Sequence, residues 1–220
     1  IHYKKGIYVY GSSGTGKTEF VMKLLEKLDY DIVKYDAGDV RNKALIDTIT
    51  SNNVSNRNVL DMMKGKNKKI VVVMDEIDGM NNGDKGGINA LIKLIRQKKT
   101  KKQRLESMTM NPILCIGNYY SDKKIRELMK VCNIFELKKP TQPQINTLMD
   151  TILPANALHE NRSILLNYVQ GDIRKLSFLE NLYKTKGHLL TPHILNTIFQ
   201  IKSYNDDAKT LTQQLINQNI

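Results

Sequence analysis

Residues Gly11 to Thr18 read GSSGTGKT, and this octapeptide restricts the possible fold more than any other part of the chain. It matches G-x-x-x-x-G-K-[ST], a pattern that works between a strand ending at its first glycine and a helix beginning near its lysine. Both flanks are present. Gly6 to Tyr10 is a β-rich apolar run, and TEFVMKLLEKL follows with Phe20, Val21, Leu24, Leu25 and Leu28 at helical spacing. In such a loop the glycines let backbone N–H groups curl around phosphate oxygens, while the helix directs its positive end at the anion. Gly11, Ser12, Ser13, Gly14, Thr15 and Gly16 are therefore the expected phosphate cradle. Lys17 is the expected cation for the β- and γ-phosphates, and Thr18 a hydroxyl ligand for Mg²⁺. The plainer reading, a flexible Gly-Ser turn, has no need of either flank.

Four more short apolar runs read as strands: Ile32 to Tyr35, Ile70 to Met74, Ile113 to Ile116 and Ile134 to Leu137. Helical or loop-like sequence separates each from the next, so the pattern predicts a parallel sheet with helices on both faces. The run Ile70 to Met74 is apolar at every position, as a strand covered on both sides must be. At KKPTQPQ the character changes, and Pro140 marks a boundary. Beyond it Ile145 to Ile152, Ser163 to Val169, Ile173 to Tyr183 and Pro192 to Ile201 read as helices of a small bundle. The expected organisation is an α/β nucleotide-binding domain over 1–139, a helical lid over 140–202, and the start of a separate amphipathic helix over 203–220.

The chemistry-bearing positions fall at strand ends. IVVVM runs into Asp75 and Glu76 within DEID, which puts two carboxylates opposite the phosphate loop. Asp75 is expected in the Mg²⁺ shell and Glu76 as the group that orients and activates an attacking water. An acidic loop after a strand is the ordinary alternative, but its pairing with GSSGTGKT favours hydrolysis over binding alone. No N-K-x-D guanine-reading sequence occurs, since Asn42-Lys43 is followed by Ala44-Leu45, so ATP is the expected nucleotide. ILCI ends at Gly117-Asn118, setting a short amide at the carboxyl edge of the sheet, where open α/β folds bind ligands. GDIRKL puts Arg174 one turn into a helix, either in reach of a γ-phosphate or on a solvated face.

Lys and Arg number 34 against 22 Asp and Glu, for a formal charge of +12. A polyanionic partner or ligand is therefore expected, and an acidic surface is excluded. No run is long and apolar enough to cross a bilayer, so no membrane partner is expected. Cys115 and Cys132 alone support neither a disulfide framework nor a zinc site. The first residue is Ile, which suggests a fragment.

GSSGTGKT, MDEID, CIGN and GDIRK in this order resemble the AAA+ ATPases. The segments YDAGDVRNKALI, MDEIDGMNNGDKGGINALIKLI and GNYYSDKKIRELMKVCNIFELKKPTQPQI narrow the likeness to clamp loaders, in particular the large subunit of replication factor C. The resemblance implies a five-stranded parallel sheet of order 5-1-4-3-2 followed by a helical lid, with Lys17, Thr18, Asp75 and Glu76 as the two Walker motifs. It also implies sensor roles for Asn118 and Arg174. The partners it implies are clamp-loader small subunits, a ring-shaped sliding clamp and primer-template DNA held by its backbone. The compartment it implies is nuclear, or that of viral replication if the chain is viral.

There are two departures from the family. Small subunits carry Ser-Arg-Cys before strand five, whereas this chain has Lys130-Val131-Cys132. It would thus receive an arginine finger from a neighbour instead of donating one, and hydrolysis alone would be weak. The basic stretch Gln97 to Met110 is the second, open to DNA, an acidic clamp surface or solvent. By resemblance Ile92 and Ile95 are candidate clamp contacts, although their helical spacing equally suits a core face. Lys123, Lys124 and Arg126 are candidate DNA-phosphate contacts. The rival readings are another DNA-associated AAA+ ATPase, a checkpoint-type clamp loader or an initiator, and a non-catalytic nucleotide-binding scaffold.

Overall fold

The computed structural model describes residues 4–36, 68–81, 87–105, 111–118, 123–153, 155–187 and 194–195. The chain divides into two compact units, Ile1–Pro140 and Thr141–Ile220. The first carries β1 (Gly6–Tyr10), α1 (Lys17–Lys27), β2 (Tyr30–Tyr35) and β3 (Lys69–Met74), then a 3-10 turn at Ile77–Asn81 and α2 (Gly87–Ile95). The short α3 (Lys101–Arg104), β4 (Ile113–Gly117), α4 (Lys123–Val131) and β5 (Cys132–Glu136) complete it.

All neighbouring strands are parallel, in the order β2-β3-β4-β1-β5. Read from the other edge this is the 5-1-4-3-2 order of a P-loop AAA+ sheet. The alternation of side chains along the strands divides the core in two. Tyr8, Val72, Met74, Ile113 and Cys115 face α2 and α4, where Leu91, Leu94, Ile95, Ile125 and Leu128 meet them. Val9, Val71, Val73, Leu114 and Ile116 point the other way, onto Val21 and Leu25 of α1. Because β3 is covered on both faces, every residue from Ile70 to Met74 is buried, and each such side chain is worth about 1.5–3 kcal/mol relative to exposure.

The apolar stripe of α1 is only partly covered, and one strand boundary needs correcting. Of the apolar stripe read on α1, only Val21 and Leu25 are buried, while Phe20, Leu24 and Leu28 remain 52%, 44% and 59% exposed. Among the described residues, α1 alone packs on that face, through Val21 and Leu25. Phe20 and Leu24 instead wall an apolar groove of about 420 Å³ with Ile7, Phe135 and Leu137. Strand β5 also begins two residues earlier than its apolar run, because Cys132 pairs with Gly6 as α4 ends. Leu137 has left the strand, although its N–H still donates to Tyr10 O at 2.7 Å.

The second unit contains α5 (Gln142–Ile152), α6 (Ala155–Val169) and α7 (Ile173–Lys186). Thr141 N donates to Gln144 Oε1 at 2.9 Å at the start of α5. Ile145, Met149, Leu165, Val169, Leu176 and Leu179 form a core of their own. Arg162 grips Asp150 through two bonds of 2.8 and 3.1 Å and also reaches Asn146 Oδ1. Apart from residues 194 and 195, the expected helix Pro192 to Ile201 lies outside the described residues, as does 203–220.

Candidate nucleotide site

The site forms where three strands end side by side. Register pairs Tyr10 of β1 with Gly117 of β4 and Met74 of β3 with Cys115 of β4. The phosphate loop, Asn118 and Asp75 therefore leave the sheet at one edge. Gly16 is the N-cap of α1 at φ 76°, a backbone angle that other residues adopt only with strain. It has no side chain with which to cap the first turn.

Lys17 is 8% exposed, and its ammonium folds back over the loop, donating to Gly11 O at 3.0 Å and Ser12 O at 2.9 Å. A third bond, 2.8 Å long, runs to Asn118 Oδ1. Thr15, also buried, ties the loop by donating its hydroxyl to Ser12 O at 3.0 Å. The walls of the loop thus hold one cation aimed at the space the loop encloses.

Asp75 is buried and fully engaged. Its Oδ1 accepts from the Thr18 hydroxyl at 3.2 Å and from Glu76 N at 3.0 Å. Its Oδ2 lies 3.1 Å from the Lys34 ammonium, which is also 3.2 Å from Asp36 Oδ1. Burial works against the charge on Lys34, but its bonds to Asp75 and Asp36 outweigh that and hold its pKa above the ordinary lysine value. The backbone of Asp75 is anchored to β2, its N–H donating to Tyr35 O at 2.8 Å.

Glu76 adopts φ 50°, in the left-handed region that a non-glycine residue enters at a cost. Its side chain is exposed at the strand edge. The neighbouring Asn118 is held from below, its N–H donating to Asp78 Oδ1 at 3.3 Å. Gly117 makes this approach possible, since a Cβ there would collide with the Tyr8 hydroxyl and crowd the Asp78 carboxylate. Burial, and after it the Asp78 charge, raise the pKa of the Tyr8 phenol, so it stays neutral.

The donors suit Mg²⁺. Thr18 Oγ1 and Asp75 Oδ1 are hard oxygens on adjoining elements, and Mg²⁺ is typically held by one or two carboxylates plus nucleotide phosphates. Among the described residues no group of three or more His, Cys, Asp or Glu side chains forms a metal cage, so a bound ion would depend on those phosphates.

Of the remaining expected residues, Lys123, Lys124 and Arg126 lie on the exposed side of α4. Ile92 is half-buried against the α2/α4 core, and Ile95, 2% exposed, is inside it. The clamp-contact expectation for Ile95 is therefore corrected: its surface is spent on the sheet. In the basic stretch, Thr100 caps α3 and Lys98 Nζ donates to Lys93 O at 2.6 Å. Arg174 belongs to the second unit, where Asp172 caps α7 by accepting from Arg174 N at 2.9 Å.

Sequence reasoning passed over Lys34 and Asp78. Asp78 is the last residue of DEID and was open to the same question as its neighbours. A lysine inside the apolar strand YDIVKY, on the strand next to the acidic one, was the only signal for Lys34.

Residues 7–138 match the model of the ATPase family associated with various cellular activities (AAA). The chain is 29% identical over 194 residues to replication factor C subunit 1 of Saccharomyces cerevisiae, covering 82% of this chain and 21% of the yeast protein. It is 30% identical over 185 residues to the Arabidopsis thaliana protein of that name, covering 78% and 18%. Similarity to the replication factor C large subunit of Nanoarchaeum equitans is 27% over 198 residues, covering 84% and 41%. The chain thus spans about a fifth of the two eukaryotic relatives.

Proposed function

The chain belongs to the AAA family of ATPases, and from that premise we propose that it is the nucleotide-driven module of a clamp-loader large subunit, binding and hydrolysing ATP while a sliding clamp is opened and placed on primer-template DNA. The observation that carries the proposal is the convergence of Lys17, Thr18, Asp75, Glu76 and Asn118 on one sheet edge. Its clamp-loader assignment is supported by the similarity to replication factor C subunit 1 and to a replication factor C large subunit.

In this reading the loop amides and Lys17 hold the β- and γ-phosphates and orient the terminal phosphoryl group. Thr18 and Asp75 hold Mg²⁺, which when bound neutralises charge on the phosphate oxygens. Glu76 accepts a proton from the attacking water as it approaches the γ-phosphorus, and its left-handed backbone turns the carboxylate out of the strand line. Asn118 shares Lys17 with the loop and fixes the position of the water or the γ-phosphate. Arg174 is assigned to sensing the γ-phosphate, and the unit that begins at Thr141 to being the lid domain.

The stretch Lys130-Val131-Cys132 offers no arginine, so an arginine finger comes from a neighbouring small subunit. The exposed Lys123, Lys124 and Arg126 contact DNA phosphates without reading sequence. Ile92 remains a candidate clamp contact, and work on DNA implies a nuclear or viral replication compartment. The test is loading of a ring clamp onto primed circular DNA by this chain reconstituted with small subunits. Loading by wild type that fails with Glu76→Gln supports the proposal, and equal loading by both removes the catalytic role.

A further inference from the structure

Asp75 is a buried carboxylate at the centre of the site, and a buried charge is costly unless it is paired. Its partner is supplied from the next strand. Lys34 sits on β2 opposite Val73, two residues after Ile32, which packs with the α1-side core. By strand alternation Lys34 points to that same face, the one from which α1 brings Thr18. Its ammonium lies 3.1 Å from Asp75 Oδ2, while the Thr18 hydroxyl and Glu76 N take Oδ1. Both oxygens of the expected Mg²⁺ ligand are thus engaged by groups of this chain, one of them by a full positive charge.

Lys34 also has a second place to go. It is 3.2 Å from Asp36, whose side chain is largely exposed at the rim. The two carboxylates form a pair of seats for one ammonium, the inner shared with the metal position and the outer free of it. We propose that Lys34 is a built-in counter-ion of Asp75 that yields its inner seat when Mg²⁺ and nucleotide bind, so that this lysine sets how much Mg²⁺ the site needs. The inference rests on Asp75 and Thr18 being the Mg²⁺ ligands and deepens that reading. Two cations compete for one carboxylate, and the Asp36 seat lowers the cost of the exchange.

The experiment measures affinity for a fluorescent ATP analogue across buffered free Mg²⁺ concentrations, using the 220-residue chain and checking each variant's fold by circular dichroism. Lys34→Met removes the competitor, so its Mg²⁺-dependent gain in affinity is expected at about three- to tenfold lower free Mg²⁺. Lys34→Arg keeps a cation and stays near wild type. Asp36→Asn removes the outer seat, holds Lys34 on Asp75 and moves the requirement upward. A purely structural lysine would move Lys34→Met and Asp36→Asn in the same direction or not at all, and either result overturns the proposal. If Lys34→Met does not fold, the upward shift in Asp36→Asn alone decides. Asp75→Ala separates the two layers: retention of the wild-type Mg²⁺ dependence there defeats the ligand assignment itself. Loss of that dependence with Lys34→Met unshifted defeats only the counter-ion.

Discussion

The ammonium of Lys17 donates to the side-chain oxygen of Asn118 at 2.8 Å, although 101 residues separate them in the chain. One residue belongs to the phosphate loop and the other to the end of β4, and the β1–β4 pairing is what brings them together. A change in what Lys17 touches is therefore felt at Asn118 without any intervening element. Removing the amide with Asn118→Ala should leave nucleotide binding within a few-fold of wild type. It should lower kcat about 10- to 100-fold, the scale of losing one positioned polar group. Separate measurement of nucleotide affinity and single-turnover rate checks this, and a loss confined to affinity would contradict it.

Glu76→Gln keeps the shape of the side chain and removes its ability to take a proton. Turnover should fall about 10²- to 10⁴-fold while ATP remains bound. Rapid-quench single-turnover assays on pre-bound ATP give the rate directly.

At Gly117 the constraint is steric. A methyl group there meets the Tyr8 hydroxyl and the Asp78 carboxylate, inside a core that is packed on both sides. Gly117→Ala should cost about 1–3 kcal/mol of stability and displace Asn118 as well, so denaturant midpoint and kcat should fall together.

Much of this arrangement was legible in the sequence. Runs such as GIYVY and IVVVM announced their strands because β-sheet burial leaves a local pattern, and GSSGTGKT located the loop between a strand and a helix. What the sequence did not show was how much of an apolar face finds a partner. On α1 the exposed Phe20, Leu24 and Leu28 carry the same periodicity as the buried Val21 and Leu25, because periodicity records the hydrophobic side of a helix and not the width of what covers it. The contacts of Lys34 and Asp78 were hidden for another reason. Each is made across strands or between a turn and a strand end, so no spacing within one element encodes it.

Stability should fall at high pH. Burial raises the thiol of Cys132 from its ordinary 9.0 to about 12, and burial raises Cys115 well above the same value. Below pH 9 both thiols are protonated, folded or unfolded, and their contribution is fully present. Above it the unfolded chain releases protons that the folded chain retains, so stability is lost as pH rises from about 9 towards 12. Each thiol contributes up to about 1.4 kcal/mol per pH unit across that window. Urea melts of wild type and Cys132→Ala between pH 8 and 10.5 check the sign, with the variant expected to show the shallower decline.

In the proposed function this chain builds an ATP site almost to completion and a neighbour completes it. Steady-state ATP turnover tests it most directly, measured for the chain alone and then with small subunits, clamp and primed DNA, with Glu76→Gln as the blank. Slow turnover alone, rising by about three or more orders of magnitude with all partners present, is the predicted result. Rapid turnover by the isolated chain, unchanged by any partner, would contradict it.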